Sequence, residues 1–173
     1  QMVFSKYLFI ERDDFREIAN RKFFRLTIGK EVRLKNAYII KGTKCIKNNI
    51  GEVVDIHCTY DPKSKSGSNS EESKRKVKGT IHWVDIKSSV GVTINEYDRL
   101  FKSERPEENV DLIKDVNASS KKTIVGKSEK YISSLVKGQK VQFQRKGYYI
   151  VDDKKNGNGT FNKTVRLRDK WKE

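Results

Sequence analysis

Arg25-Leu-Thr-Ile-Gly-Lys-Glu-Val-Arg-Leu-Lys-Asn-Ala-Tyr-Ile-Ile40 is the stretch on which the reading of the fold depends. Leu26 and Ile28 alternate with Arg25 and Thr27. Gly29-Lys30 interrupts, Val32 and Leu34 then alternate with Arg33 and Lys35, and Ala37 to Ile40 resume the apolar run. Successive side chains of a strand point to opposite faces. Val32 and Leu34 can therefore enter a core while Arg33 and Lys35 project together from the other side. Two neighbouring cations on a rigid strand suit an anionic partner with shape, such as folded RNA. A solvated strand face is the competing reading of the same alternation.

Outward from that stretch the chain reads as strands and turns. Residues 3–10 are rich in aromatic and β-branched side chains, as in a strand. Asp13 or Asp14 can cap a short helix, with Glu17 three residues after Asp14, and Phe15, Ile18, Ala19 and Lys22 or Phe23 recur at helical spacing. Lys41 to Ile46 and Glu52 to Tyr60 flank an Asn48-Asn-Ile-Gly51 turn, which predicts a hairpin placing Cys45 opposite about residue 54. Residues 61–78 contain a single strongly apolar side chain and predict a mobile loop, with Lys74-Arg-Lys76 at a solvated tip. Gly79 to Asp85 reads as a strand with Ile81 and Trp83 on one face, and Val90 to Phe101 as another. Residues 102–121 are a polar connection. Ser128 can cap a helix carrying Ile132, Leu135 and Val136, with Gly138 as its stop. Lys140–Gln144, Gly147–Val151 and Phe161–Arg168 complete a series of short strands separated by regular turns, the pattern of an all-β chain built from barrels.

The 173 residues suit one domain or two small ones, and 35% apolar content suits small barrels better than one large core. A net charge of +15 points to a polyanion, nucleic acid before an acidic membrane surface. No apolar run approaches the ~18 residues of a membrane span. Two cysteines, Cys45 and Cys58, are too few for a disulfide scaffold, and a reducing cytoplasm is the expected setting. His57 and Cys58 face opposite ways in a strand, and His82 is the only other histidine, so no zinc spacing exists. The sequence lacks a Gly-x-Ser-x-Gly elbow and the Gly-rich phosphate loops. An enzyme built on this chain alone is not expected.

Five segments together resemble one family. They are Gly29–Tyr38, Cys58-Thr-Tyr-Asp61, Lys78-Gly-Thr-Ile-His-Trp-Val84, Tyr97-Asp-Arg-Leu-Phe101 and Phe161–Trp171. In this order, with Asp14-Phe-Arg16 and Gln142–Tyr148, they resemble the C-terminal anticodon-binding region of glutaminyl-tRNA synthetases. The resemblance implies two six-stranded β-barrels like ribosomal protein L25, with short helices. It places 1–22 plus 102–173 in a proximal barrel and 23–101 in a distal one. It implies tRNA-Gln as partner and a class I catalytic domain in cis, which would use ATP and Mg. The catalytic signatures of that class are absent here, so no cofactor is expected in this chain. By motif, Arg25 falls where the family contacts the third anticodon base, Arg33 and Lys35 where it contacts the first, and Gln142 and Arg145 where it contacts the middle uridine. Two positions depart from the bacterial pattern. Phe24 stands where a lysine precedes the first arginine, and Lys35 stands for an arginine. Lysine is a point charge rather than a fork, so first-base reading should be looser or lean on stacking by Phe24. The alternatives are the related region of an archaeal or eukaryotic glutamyl-tRNA synthetase, a structural RNA binder of the L25 kind, and a basic module that docks another synthetase or an acidic protein.

Overall fold

The computed structural model describes residues 3–108, 111–155 and 158–167. It is all-β, with helical turns of three to five residues only. Two compact units divide it, Gln1–Lys87 and Ser88–Glu173.

The first unit contains β1 (Leu8–Ile10), β2 (Glu31–Leu34), β3 (Ile39–Lys47), β4 (Val53–Asp61), β5 (Thr80–Ile81) and β6 (Trp83–Asp85). They form a four-stranded sheet in the order β4-β3-β2-β5 and a two-stranded sheet β1-β6. The stretch 25–40 becomes a hairpin rather than a run in one direction. β2 ends at Leu34, and Asn36 takes a left-handed φ of 56°. β3 then returns antiparallel, with Arg33 opposite Ile39. Asparagine tolerates that conformation better than most side chains. Leu26, Val32, Leu34, Ala37, Ile40, Ile81 and Trp83 form the core of the unit. Phe4, Tyr38 and Trp83 pack at its end, with Phe4 centroids 4.7 Å from Tyr38 and 5.5 Å from Trp83.

The second unit contains β7 (Val90–Tyr97), β8 (Lys121–Ser128), β9 (Lys140–Phe143), β10 (Gly147–Lys155) and β11 (Asn158–Val165). They make one five-stranded sheet, β8-β7-β11-β10-β9, in which β11 runs parallel to β7. Val92, Ile132, Leu135, Tyr149, Val151 and Phe161 form its core. The strand complement differs from two sixes, since the first unit has six strands and the second has five among the described residues.

The interleaved division of the chain, 1–22 with 102–173 around 23–101, is corrected. β1 pairs with β6, Leu8 with Asp85 and Ile10 with Trp83, which ties residues 1–22 to the first unit. β7 pairs along its length with β8, and with β11 on its other side, which ties residues 88–101 to the second. Strand pairing from Val90 to Tyr97 is a stronger constraint than the polar composition of 102–121 that suggested a boundary.

Three local expectations also change. The helix after Asp14 is absent. A single 3-10 turn spans Arg12–Asp14, Phe15 is extended, and Ile18 is 91% exposed. An apolar residue with nothing to cover it gives a helix no reason to form. The helix after Ser128 is likewise one 3-10 turn, Lys130–Ser134. Ile132 and Leu135 are buried as expected, but Val136 is exposed. The hairpin β3–β4 carries register shifts on both sides of Lys44–Ile46, so Cys45 faces Ile56 and not residue 54. Both cysteines are free.

Residues 61–78, expected to be a mobile loop, carry ordered structure. A 3-10 turn, Pro62–Ser64, and a one-turn helix, Glu71–Lys74, lie within them. Ser64 is fully buried, and its Oγ accepts from Ile39 N at 2.8 Å and donates to the Asp61 carbonyl at 2.6 Å. Ser66 Oγ donates to the Ala37 carbonyl at 2.8 Å. Hydrogen bonds from small polar side chains supply the order that apolar burial does not.

Candidate nucleic-acid interface

In the first unit the site is built around Arg25. Leu26 N donates to the Asp14 carbonyl at 2.9 Å and Arg16 N to the Leu26 carbonyl at 3.1 Å. This short ladder lays the 12–16 segment beside 24–26. Asp14 is completely buried, and its carboxylate takes Arg25 Nη1 at 2.9 Å. The same nitrogen reaches the Asp13 carbonyl at 3.2 Å. A buried carboxylate needs such a partner, and the pair aims the guanidinium. Arg12, Arg16, Lys22, Phe23, Phe24 and Arg25, with Asp13 and Phe15, line a cleft of about 630 Å³. Arg16 lies over the Phe23 ring at 4.9 Å and Lys78 over the Phe24 ring at 5.7 Å. Phe24 remains half exposed. Aromatic faces beside guanidinium groups are what an unstacked base and its phosphate require.

Arg33 and Lys35 do not stand side by side on one strand as expected. Val32 and Leu34 do point into the core, at 1% and 0% exposure. Lys35, however, lies in the turn after β2, and its carbonyl accepts Trp83 Nε1 at 3.0 Å. Arg33 turns into the 61–78 segment and donates to four acceptors there.

In the second unit Val141 and Phe143 pack against the core and Gln142 is exposed on the opposite face, as the alternation predicts. Gln142 pairs across the ladder with Tyr148, which is 46% exposed. Paired residues share a face, so an aromatic surface sits beside the amide. Arg145 is half-buried in the β9–β10 turn with a left-handed φ of 67°. That conformation costs a non-glycine residue about 1 kcal/mol or more and is worth a functional explanation.

Sequence reasoning missed three participants. Asp14 read as a helix cap, because a capping box and a buried ion pair use the same residue type. Tyr148 could have been found from the pairing implied by the tight turn after Gln144. The serines that hold Arg33 carry no local signal, since their acceptors meet only once the loop closes.

Among the described residues no cluster of His, Cys, Asp and Glu could hold a metal ion. Cys58 sits in the wall of an open cavity of about 980 Å³ in the first unit, lined by apolar side chains together with Lys6, Glu11, Arg12, Arg16, Glu17 and Asp55. Desolvation of the sulfur pushes its thiol up to about 11, although the residue as a whole is exposed. At neutral pH it is a thiol, not a thiolate ligand. No helix of the described residues is long and apolar enough to cross a membrane.

Two family models match the chain, each described as "tRNA synthetases class I (E and Q), anti-codon binding domain". One covers residues 1–61 and the other residues 80–152. Among the relatives, a glutamine–tRNA ligase of Rhodopirellula baltica is 45% identical over 175 residues, covering 99% of this chain and 29% of that protein. One from Nitrosomonas europaea is 44% identical over 172 residues, covering 98% of this chain and 31% of its own length. One from Clostridium kluyveri is 39% identical over 176 residues, with 99% and 31% covered. The chain thus spans about a third of the length of the curated relatives it matches. With both models matched in order along a basic, strand-built chain, it belongs to the anticodon-binding domains of the class I (E and Q) tRNA synthetases.

Proposed function

We propose that this chain reads the anticodon of a glutamine tRNA for a class I catalytic domain in the same protein. The observation that carries this is the match of nearly the whole chain to proteins named glutamine–tRNA ligase. In this reading Arg25 contacts the third anticodon base, and because Phe24 lines the same cleft its stacking is assigned to that base rather than to the first. Lys35 contacts the first base, and Arg33 serves that side of the site. Gln142 and Arg145 meet the middle uridine, with Tyr148 as a further stacking face. The protein works in the cytoplasm, and its catalytic domain supplies ATP and Mg chemistry.

Binding of a glutamine tRNA transcript to the chain tests the proposal. Affinity should fall steeply with salt, with a log–log slope of about −0.7 to −0.9 per phosphate contact. A tRNA-Glu transcript and unrelated tRNAs should compete poorly. Equal competition by all of them would leave a non-specific polyanion binder.

Arg145 allows a sharper test, because its two roles separate. Glycine is at ease at φ 67°, so Arg145→Gly should leave stability within about 1 kcal/mol of wild type, or raise it. A guanidinium has only donors, so it favours a uracil carbonyl over the cytosine amine. The same variant should therefore lose about tenfold affinity for an anticodon stem-loop with a middle uridine and little for one with a middle cytidine. Arg145→Gly should also lose more of this preference than Gln142→Ala, because an amide can flip to suit either base. Unchanged binding would make Arg145 a turn residue only.

A further inference from the structure

One guanidinium gathers both ends of the 61–78 segment. Arg33 Nη1 donates to the Ser64 carbonyl at 3.0 Å and to Ser66 Oγ at 3.4 Å. Its Nη2 donates to the Ser73 carbonyl at 2.8 Å and to the Arg75 carbonyl at 3.2 Å. Arg75 in turn pairs with Asp61 at 3.1 Å and with Glu31 of β2. Ser70 caps the one-turn helix by accepting from Ser73 N at 3.0 Å, and donates to the Lys63 carbonyl at 2.6 Å. The segment is therefore a clasp closed on β2, and Arg33 is its centre. Around it Lys63, Lys65, Lys74, Lys76 and Lys78 are all exposed.

We infer that Arg33 is a positioning residue. It holds the 61–78 segment in one conformation, and the five lysines of that segment then meet the RNA backbone as a pre-ordered array. This rests on the anticodon-binding reading above. A base edge offers an arginine two acceptors at best, whereas four protein acceptors already engage the Nη atoms of Arg33. Exchanging the clasp for a base breaks more hydrogen bonds than it forms. Conversely, a polar segment with almost no apolar anchor would have to be ordered at the moment of binding if nothing held it beforehand. Lys78 stands next to Gly79 at the end of the segment and lies over the Phe24 ring, so the clasp also borders the Arg25 cleft. The role differs from base reading in kind: it supplies affinity without sequence preference.

The test uses the whole chain as wild type, Arg33→Ala, Arg33→Lys, a variant with the five lysines changed to glutamine, and that variant combined with Arg33→Ala. Tryptic cleavage within 61–78, without RNA, should be at least tenfold faster in Arg33→Ala. Arg33→Lys should be intermediate, because an ammonium cannot span both ends of the segment. Affinity for a glutamine tRNA transcript should fall about tenfold in Arg33→Ala, whatever the first anticodon base. Its salt slope should become shallower by about one to three, at about 0.7 to 0.9 for each phosphate no longer neutralised. In the five-lysine background Arg33→Ala should cost less than twofold. Unchanged cleavage would overturn the inference. So would a loss that depends on the first anticodon base and persists in the five-lysine background, which would make Arg33 a base reader. If Arg33→Ala does not fold, Arg33→Lys carries the same comparisons. A wild-type chain that binds no tRNA at low salt would refute the anticodon reading itself, and the cleavage comparison would still decide whether Arg33 holds the segment.

Discussion

Gly79→Ala is expected to destabilise the first unit by about 3 kcal/mol, at the upper end of what overpacking costs. A Cβ on Gly79 would lie 1.9 Å from the Phe24 carbonyl oxygen, 2.9 Å from its carbonyl carbon and 3.4 Å from Val32 Cγ1. Contacts of a real Cβ essentially never fall below 3.0 Å. The nearest atom belongs to backbone, so no rotamer change relieves the clash. Separating the two segments has two consequences. The Gly79 carbonyl accepts Arg33 N at 2.9 Å, and Arg33 is paired with Thr80 in the parallel β2–β5 ladder. Moving residue 79 away opens that ladder. Moving residue 24 instead shifts Phe24 and Arg25, the wall of the cleft. Urea unfolding of the chain followed by tryptophan fluorescence would report the change, because Trp83 belongs to this core. An alanine variant within about 0.5 kcal/mol of wild type would mean that residues 24 and 79 can separate without cost. The expected tRNA affinity of any folded Gly79→Ala protein is also lower, since the cleft and the ladder cannot both stay in place.

The second large effect concerns Arg25. Glutamine anticodons end in guanine and glutamate anticodons end in cytosine, while their other two bases coincide. Discrimination between the two tRNAs by their anticodons therefore falls on the third base. Arginine matches the O6 and N7 acceptors of guanine with two donors, and cytosine presents an amine there instead. Arg25→Ala should lose about 1–3 kcal/mol of guanine-over-cytosine preference, roughly 5- to 150-fold in relative affinity. Arg25→Lys keeps the charge without the fork, so it should keep the salt slope and lose most of the preference. Asp14→Asn should do the same more weakly, because the buried carboxylate that aims Arg25 at 2.9 Å becomes a neutral amide. The measurement is competition between stem-loops differing only in the third anticodon base. Equal weakening of both by Arg25→Ala would assign Arg25 to a phosphate. In that case the cleft beside Phe24 would carry no sequence information.

Much of the fold class and function is legible in the sequence. The alternation of Val32 and Leu34 with charged neighbours, and of Val141 and Phe143 with Gln142, required strands with one buried face, and those faces are buried or packed on the cores. Period-2 patterning is a local property of the chain, so composition and spacing sufficed for the all-β class. The basic charge and the family motifs are also written in the sequence, and they pointed to anticodon binding. Tertiary structure decided what local pattern cannot hold. Which strand pairs with which depends on segments far apart in the chain. The partnership of Leu8 with Asp85 moved residues 1–22 into the first unit against expectation. Asp14 satisfied the rules for a helix cap, yet its carboxylate went to Arg25, because a buried charge gains more from an opposite charge than from a backbone amide of an uncovered helix. The 61–78 segment looked unable to order itself by burying apolar surface, and it does not. Its order comes from hydrogen bonds to β2 and β3, above all to the single guanidinium of Arg33. Sequence can show that Arg33 leaves the core. Only the folded chain shows whether RNA or the protein's own carbonyls receive it.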